Sequence, residues 1–77
     1  MAVTMWEAKA ASGQLDALAG WVSARAATGS QLYRNDEQAR LVVIDPTGQA
    51  RELLAGLPAE LIERPAQAWD FEPVRNV

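Results

Sequence analysis

Three tryptophans and one tyrosine in a 77-residue chain are the first side chains that could do chemistry. Trp6, Tyr33 and Trp69 could line a pocket for a flat aromatic ligand, since each offers an apolar body and one polar handle. Trp21 is a further candidate, at the rim of a core or at a contact. The same aromatics read more simply as core, because large rings stabilise small domains efficiently, and that reading outweighs the pocket.

Carboxylates come next. Glu7, Asp70 and Glu72 could share one sheet face, where paired acids can split their pKa values and do acid–base work. Lys9 and Arg34 are the cations expected to neutralise them, which makes a structural role the weightier expectation. Asp45, Glu52 and Glu60 would have to supply a metal site with oxygen ligands alone, and their spacing suggests none. There is no His and no Cys. The usual neutral-pH base, thiolate nucleophiles and the commonest transition-metal ligand are thereby excluded. No Gly-x-Ser-x-Gly motif occurs, and Thr47-Gly48 is too short for a phosphate loop. Any catalysis would need a carboxylate base or the substrate's own. No metal and no cofactor are expected.

Composition narrows the remaining classes. At 49% hydrophobic residues the chain is a folded globular domain, and its length allows one core only. A chain this small buries only about 60% of its unfolded surface and usually needs a disulfide, a metal or a partner. With the first two excluded, oligomerisation is left. The net charge is −3 and the Arg residues at 25, 34, 40, 51, 64 and 75 are scattered, so nucleic acid is not an expected partner. Residues 1–7 carry no basic-then-apolar leader, and no stretch approaches the roughly 20 apolar residues that span a bilayer. The cytoplasm is the expected compartment, which suits a chain without Cys.

The elements that must position these residues follow from periodicity. Val3 to Lys9 reads as a strand with Thr4, Trp6 and Ala8 on one face and Val3, Met5 and Glu7 on the other. Ser12 is a predicted N-cap for a helix from Gly13 to Ala27, whose Leu15, Leu18, Ala19, Val22 and Ala26 form one stripe. Gly29 would end it in a left-handed conformation. Gln31 to Arg34 and Arg40 to Asp45 form a hairpin around the polar turn Asn35 to Gln38. Asp45-Pro46-Thr47-Gly48 carries turn chemistry. A short second helix is expected from Gln49 to Ala55, with a further turn from Pro58 to Ile62. Ala66 to Val74 is the last strand, an edge strand because Pro73 cannot donate to a ladder. Gln67, Trp69 and Phe71 would share one of its faces.

The order is βαββαβ, an α+β ferredoxin-like domain spanning 1–77, with a four-stranded antiparallel sheet and both helices on one face. Leu41 to Ile44 is apolar on both sides, as a strand is when both sheet faces are covered. Val3, Met5, Val42 and Ile44 therefore form a predicted dimer face, and a second copy of the chain is the expected cover.

Four segments together, VTMWEAKA, SGQLDALAGWVSARA, QLYRNDEQARLVVID and AQAWDFEPV, resemble the dimeric α/β-barrel superfamily, specifically its small antibiotic-biosynthesis-monooxygenase-like members. The resemblance implies paired sheets and a ligand cavity between sheet and helices. In some relatives it also implies oxidation of aromatic polyketides without metal or flavin. Haem handling, another activity in that group, is not expected without His. Neither Asn35, in a turn, nor Asn76, in the tail, occupies a pocket position. Two functions are carried forward: a non-catalytic ligand-binding or protein-interaction module, with a small aromatic molecule as its candidate ligand, and a cofactor-independent monooxygenase-like enzyme acting on a small aromatic substrate.

Overall fold

A computed structural model describes residues 2–75. Strand β1 (Val3–Lys9) leads to helix α1 (Leu15–Arg25), the hairpin β2 (Gln31–Asn35) and β3 (Arg40–Asp45), the one-turn helix α2 (Ala50–Leu53), a 3₁₀ turn (Ala59–Leu61) and β4 (Gln67–Phe71). All neighbouring strands are antiparallel, in the order β2-β3-β1-β4. That is ferredoxin-like ordering: β1 and β3 are central and the two edges are β2 and β4.

The cross-strand register decides which side chains share a face. Trp6 stands opposite Val43 on β3 and Ala68 on β4, and Val43 stands opposite Leu32 on β2. Because side chains alternate along a strand, Thr4, Trp6, Ala8, Leu41, Val43 and Asp45 line one face and are buried there. Leu18 and Val22 of α1, with Ala50 and Leu54, complete the core. The opposite face carries Val3, Met5, Glu7, Lys9, Val42, Ile44, Tyr33, Trp69 and Phe71, and among the described residues no helix covers it.

Several boundaries differ from expectation for local reasons. Helix α1 begins at Leu15, because residues 11–14 form a turn closed by Gln14 N–H donating to Ala11 O (2.9 Å), with Gly13 at φ +75. Ser12 lies at the corner of that turn and caps nothing; the capping position is Gln14, without a side-chain bond. The helix stops at Arg25, where Ala26 turns extended. Gly29 is left-handed (φ +91), but in the following turn, which Ser30 N–H closes onto Ala27 O (3.0 Å). Helix α2 is a single turn: after Leu54 N–H donates to Ala50 O (2.9 Å) the chain passes into tighter turns, with Ala55 N–H on Glu52 O (3.4 Å) and Leu57 N–H on Leu54 O (3.3 Å). Strand β4 ends at Phe71 because its partner Val3 is the first residue of β1.

The α2 segment is anchored by a buried acid. Asp45 (1% exposed) accepts from Thr47 N (2.8 Å), Thr47 Oγ1 (2.7 Å) and Gln49 N (2.8 Å). Gly48 at φ +73 brings the turn within reach of β1, where an added Cβ would lie 3.2 Å from Ala2 O. The turn chemistry read in Asp45 to Gly48 therefore also fastens α2 to the sheet.

Candidate functional site

The three aromatics expected to share a pocket are separated by the sheet. Trp6 is 4% exposed on the helix-covered side. Tyr33 and Trp69 sit one position out of phase with Leu32 and Ala68, the residues in register with Trp6's neighbours, and so face the other way. Tyr33 and Trp69 are 57% and 43% exposed there, with Phe71 at 54%. Trp21 lies half-buried at the rim of the core, and the Arg25 guanidinium stacks on its ring at 4.1 Å.

Trp6 does form the floor of a cleft. The short α2 leaves a gap of about 380 Å³ between the 51–65 segment and β4, walled by Leu54, Leu57, Ile62 and Ala68 with Arg51 at one end. Among the described residues, Arg51 is the only ionisable one lining it. Its guanidinium is committed: Nη1 donates to Asp70 Oδ1 (2.7 Å) and Nη2 to Ala68 O (3.0 Å). Asp70 also accepts from Thr4 Oγ1 (2.8 Å). The Thr4 hydroxyl bond, then the Arg51 bonds, hold the Asp70 carboxyl below the ordinary aspartate range. This trio clips α2 to the edge strand.

The carboxylates expected on one face are likewise divided. Asp70 stands opposite Thr4 on the helix side, while Glu7 stands opposite Val42 and Gln67 on the open side. Glu72 lies beyond the end of β4. Glu7 is nonetheless only 7% exposed, because Arg40 and Arg64 cover it. Arg40 Nε donates to Glu7 Oε2 (2.8 Å), and Arg64 Nη2 approaches the same oxygen (3.4 Å). Lys9 pairs instead with Glu63 (3.5 Å). Arg34 pairs with Asp16 (2.9 Å) and Asp36 (2.6 Å). The cations expected near Glu7 are thus spent elsewhere. Arg64 reaches it from the loop after the 3₁₀ turn, a tertiary path that no local spacing announces.

Burial works to raise the pKa of Asp45, but the bonds from the Thr47 hydroxyl and from the Thr47, Gln49 and Ala50 amides outweigh it, and the carboxyl is lowered. Every one of those bonds is a local contact within the turn that leads into α2, which gives Asp45 a structural role. Among the described residues no group of three acidic, His or Cys side chains could hold a metal ion. Asn35 accepts from Gln38 N in its turn (3.0 Å), and Asn76 lies outside the described residues. Among the described residues, no helix is long and apolar enough to cross a membrane.

The open face has a second property that register makes visible. Val3, Met5, Ile44, Trp69 and Phe71 occupy one end of it and Lys9 and Arg40 the other, while Val42 and Tyr33 share the row between them with Gln67 and Glu7, which Arg64 also reaches. The four residues expected as a dimer face lie together on this surface, half-buried, and the two exposed aromatics of the expected pocket belong to it.

Compared with family models, with curated proteins and with solved structures, the chain matches none. What the structure shows is a small α+β domain whose four antiparallel strands run in ferredoxin-like order.

Proposed function

We propose that the chain is a non-catalytic interaction module that works as a homodimer, one open sheet face packed on another. The single observation that carries this is the apolar cluster on that face, three of whose aromatic side chains are 43 to 57% exposed. Contiguous apolar surface of this kind marks an interaction site when it reaches several hundred Å².

The cleft over Trp6 is where the same module would take a small aromatic ligand, flat against the indole and the aliphatic wall. The monooxygenase-like alternative would place its substrate in this cleft too. What favours the non-catalytic reading is that the one ionisable group there is a cation already held by two oxygens, so no base faces the space. The cytoplasm is the compartment we assign to such a module.

Light scattering on Met5→Glu and Val42→Asp tests the dimer. Both put a carboxylate into the apolar cluster, and each is expected to reduce the mass to that of one chain. Retention of a dimer in both variants refutes the assigned face.

A further inference from the structure

Among the described residues, the side chains around the cleft over Trp6 offer hydrogen-bond donors and no acceptor. We propose that the cleft selects an anion: a flat aromatic carboxylate, its ring on the Trp6 indole and the aliphatic wall, its carboxylate on Arg51. This rests on the aromatic-ligand reading of the cleft given above and adds the ligand's charge and the group that recognises it.

The chemistry of the lining is simple. Leu54, Leu57, Ile62 and Ala68 give apolar surface, and Trp6 and Arg51 are the lining residues with polar side-chain atoms. An indole N–H donates and does not accept, and the same holds for a guanidinium. A ligand ammonium would meet no side-chain acceptor there and would face a like charge. A carboxylate brings acceptors alone and meets two donors.

Both donors have capacity left. Trp6 is 4% exposed, yet its indole N–H makes no hydrogen bond among the described residues. The one side-chain polar atom that is sealed from solvent without a partner is Ser30 Oγ. The Trp6 N–H is therefore not sealed, and the cleft is the space that Trp6 lines. Arg51 donates once to Asp70 (2.7 Å) and once to Ala68 O (3.0 Å), and a guanidinium carries further N–H donors. Its side chain is half exposed. The two bonds orient the guanidinium at the end of the cleft before a ligand arrives, which lowers the ordering cost of binding. Asp70 does not bar a second carboxylate. Arg34 of this same chain holds two at once, Asp16 on Nη1 (2.9 Å) and Asp36 on Nε (2.6 Å).

The size fits as well. At about 380 Å³ the cleft falls within the roughly 300–1,000 Å³ of small-molecule sites, room for a fused two-ring acid.

Three probes of one shape separate charge from shape: naphthoate, the neutral naphthalenemethanol and the cationic naphthylmethylammonium. Each is titrated near neutral pH while NMR follows the Trp6 indole N–H resonance, assigned with Trp6→Phe. Naphthoate should shift that resonance saturably and bind at least roughly tenfold tighter than either analogue, the worth of one charge-assisted hydrogen bond. Arg51→Gln should weaken naphthoate by about the same factor and leave naphthalenemethanol within about threefold. Asp70→Asn loosens the same clip but removes the competing negative charge, so naphthoate should bind it at least as tightly as the unmodified chain. A comparable loss in Asp70→Asn would make the position of α2 the cause and overturn the role of Arg51. Equal affinity for all three probes overturns the charge selection while leaving the cleft as a site for flat aromatics. No shift by any probe at millimolar concentration overturns the aromatic-ligand reading and the charge selection together. Circular dichroism confirms the native fold of both variants, and the comparison of probes on the unmodified chain needs neither.

Discussion

Asp45 gives the most quantitative expectation, because its carboxylate is buried and all its partners are identified. Asp45→Ala removes three hydrogen bonds of 2.7 to 2.8 Å and leaves the amides of Thr47 and Gln49 without their acceptor. A bond to a charged group contributes about 1.5–3 kcal/mol. The contributions overlap, so the expected loss is about 3 kcal/mol, or roughly 12–24 °C in Tm for a domain of this size. The effect also carries a pH signature. The carboxyl's folded-state pKa is lowered from 3.8, so its stabilisation is complete above that value. It is lost as pH falls through the still lower folded pKa, because the unfolded chain takes up the proton first. The gap between wild type and Asp45→Ala should therefore be widest near neutral pH and shrink below about pH 4. Urea unfolding followed by Trp fluorescence at fixed protein concentration, at pH 7 and pH 3, measures both. A loss under about 1 kcal/mol at pH 7, or a gap that does not narrow at pH 3, refutes the anchoring role of Asp45.

Arg51→Ala should move the Asp70 titration upward toward 3.8, read by NMR, since one of the bonds that lower it disappears; amides of β4 should exchange faster in the same variant. Gly48→Ala should cost about 1–2 kcal/mol in denaturant unfolding, because φ +73 is strained for an L-residue and the new Cβ meets Ala2 O at 3.2 Å. Ala39, which holds φ 54 in the hairpin turn, should tolerate Gly with a gain of about 0.5 kcal/mol, as relief of that strain exceeds the added chain entropy. Ile44→Asp should raise the dimer dissociation constant at least about a hundredfold by burying an unpaired carboxylate, whereas Arg40→Ala at the other end of the face should change it less than about threefold.

Much of the architecture was legible because it is written in period-two alternation. The bounds of β1 and β3 and the faces of β1 and β4 follow from residues such as Thr4, Trp6, Val42 and Ile44 that read correctly without a partner strand. The site was less legible because it depends on register. Placing Trp69 on the same side as Phe71 requires only β4, but separating it from Trp6 requires knowing that Trp6 meets Ala68. The same pairing splits Asp70 from Glu7. The Arg64–Glu7 contact joins residues 57 positions apart, and no spacing rule reaches that far. Helix α2 is shorter than the expected Gln49–Ala55 because Leu53 and Leu54 continue an apolar pattern while the chain beyond Leu53 turns over Gly56.

The proposed homodimer meets its most direct test in sedimentation equilibrium of the unmodified chain from about 1 to 500 µM, a range that brackets micromolar dissociation constants. The account predicts a mass that climbs with concentration from 8.3 kDa to twice that value. A mass fixed at one chain across the whole range contradicts it.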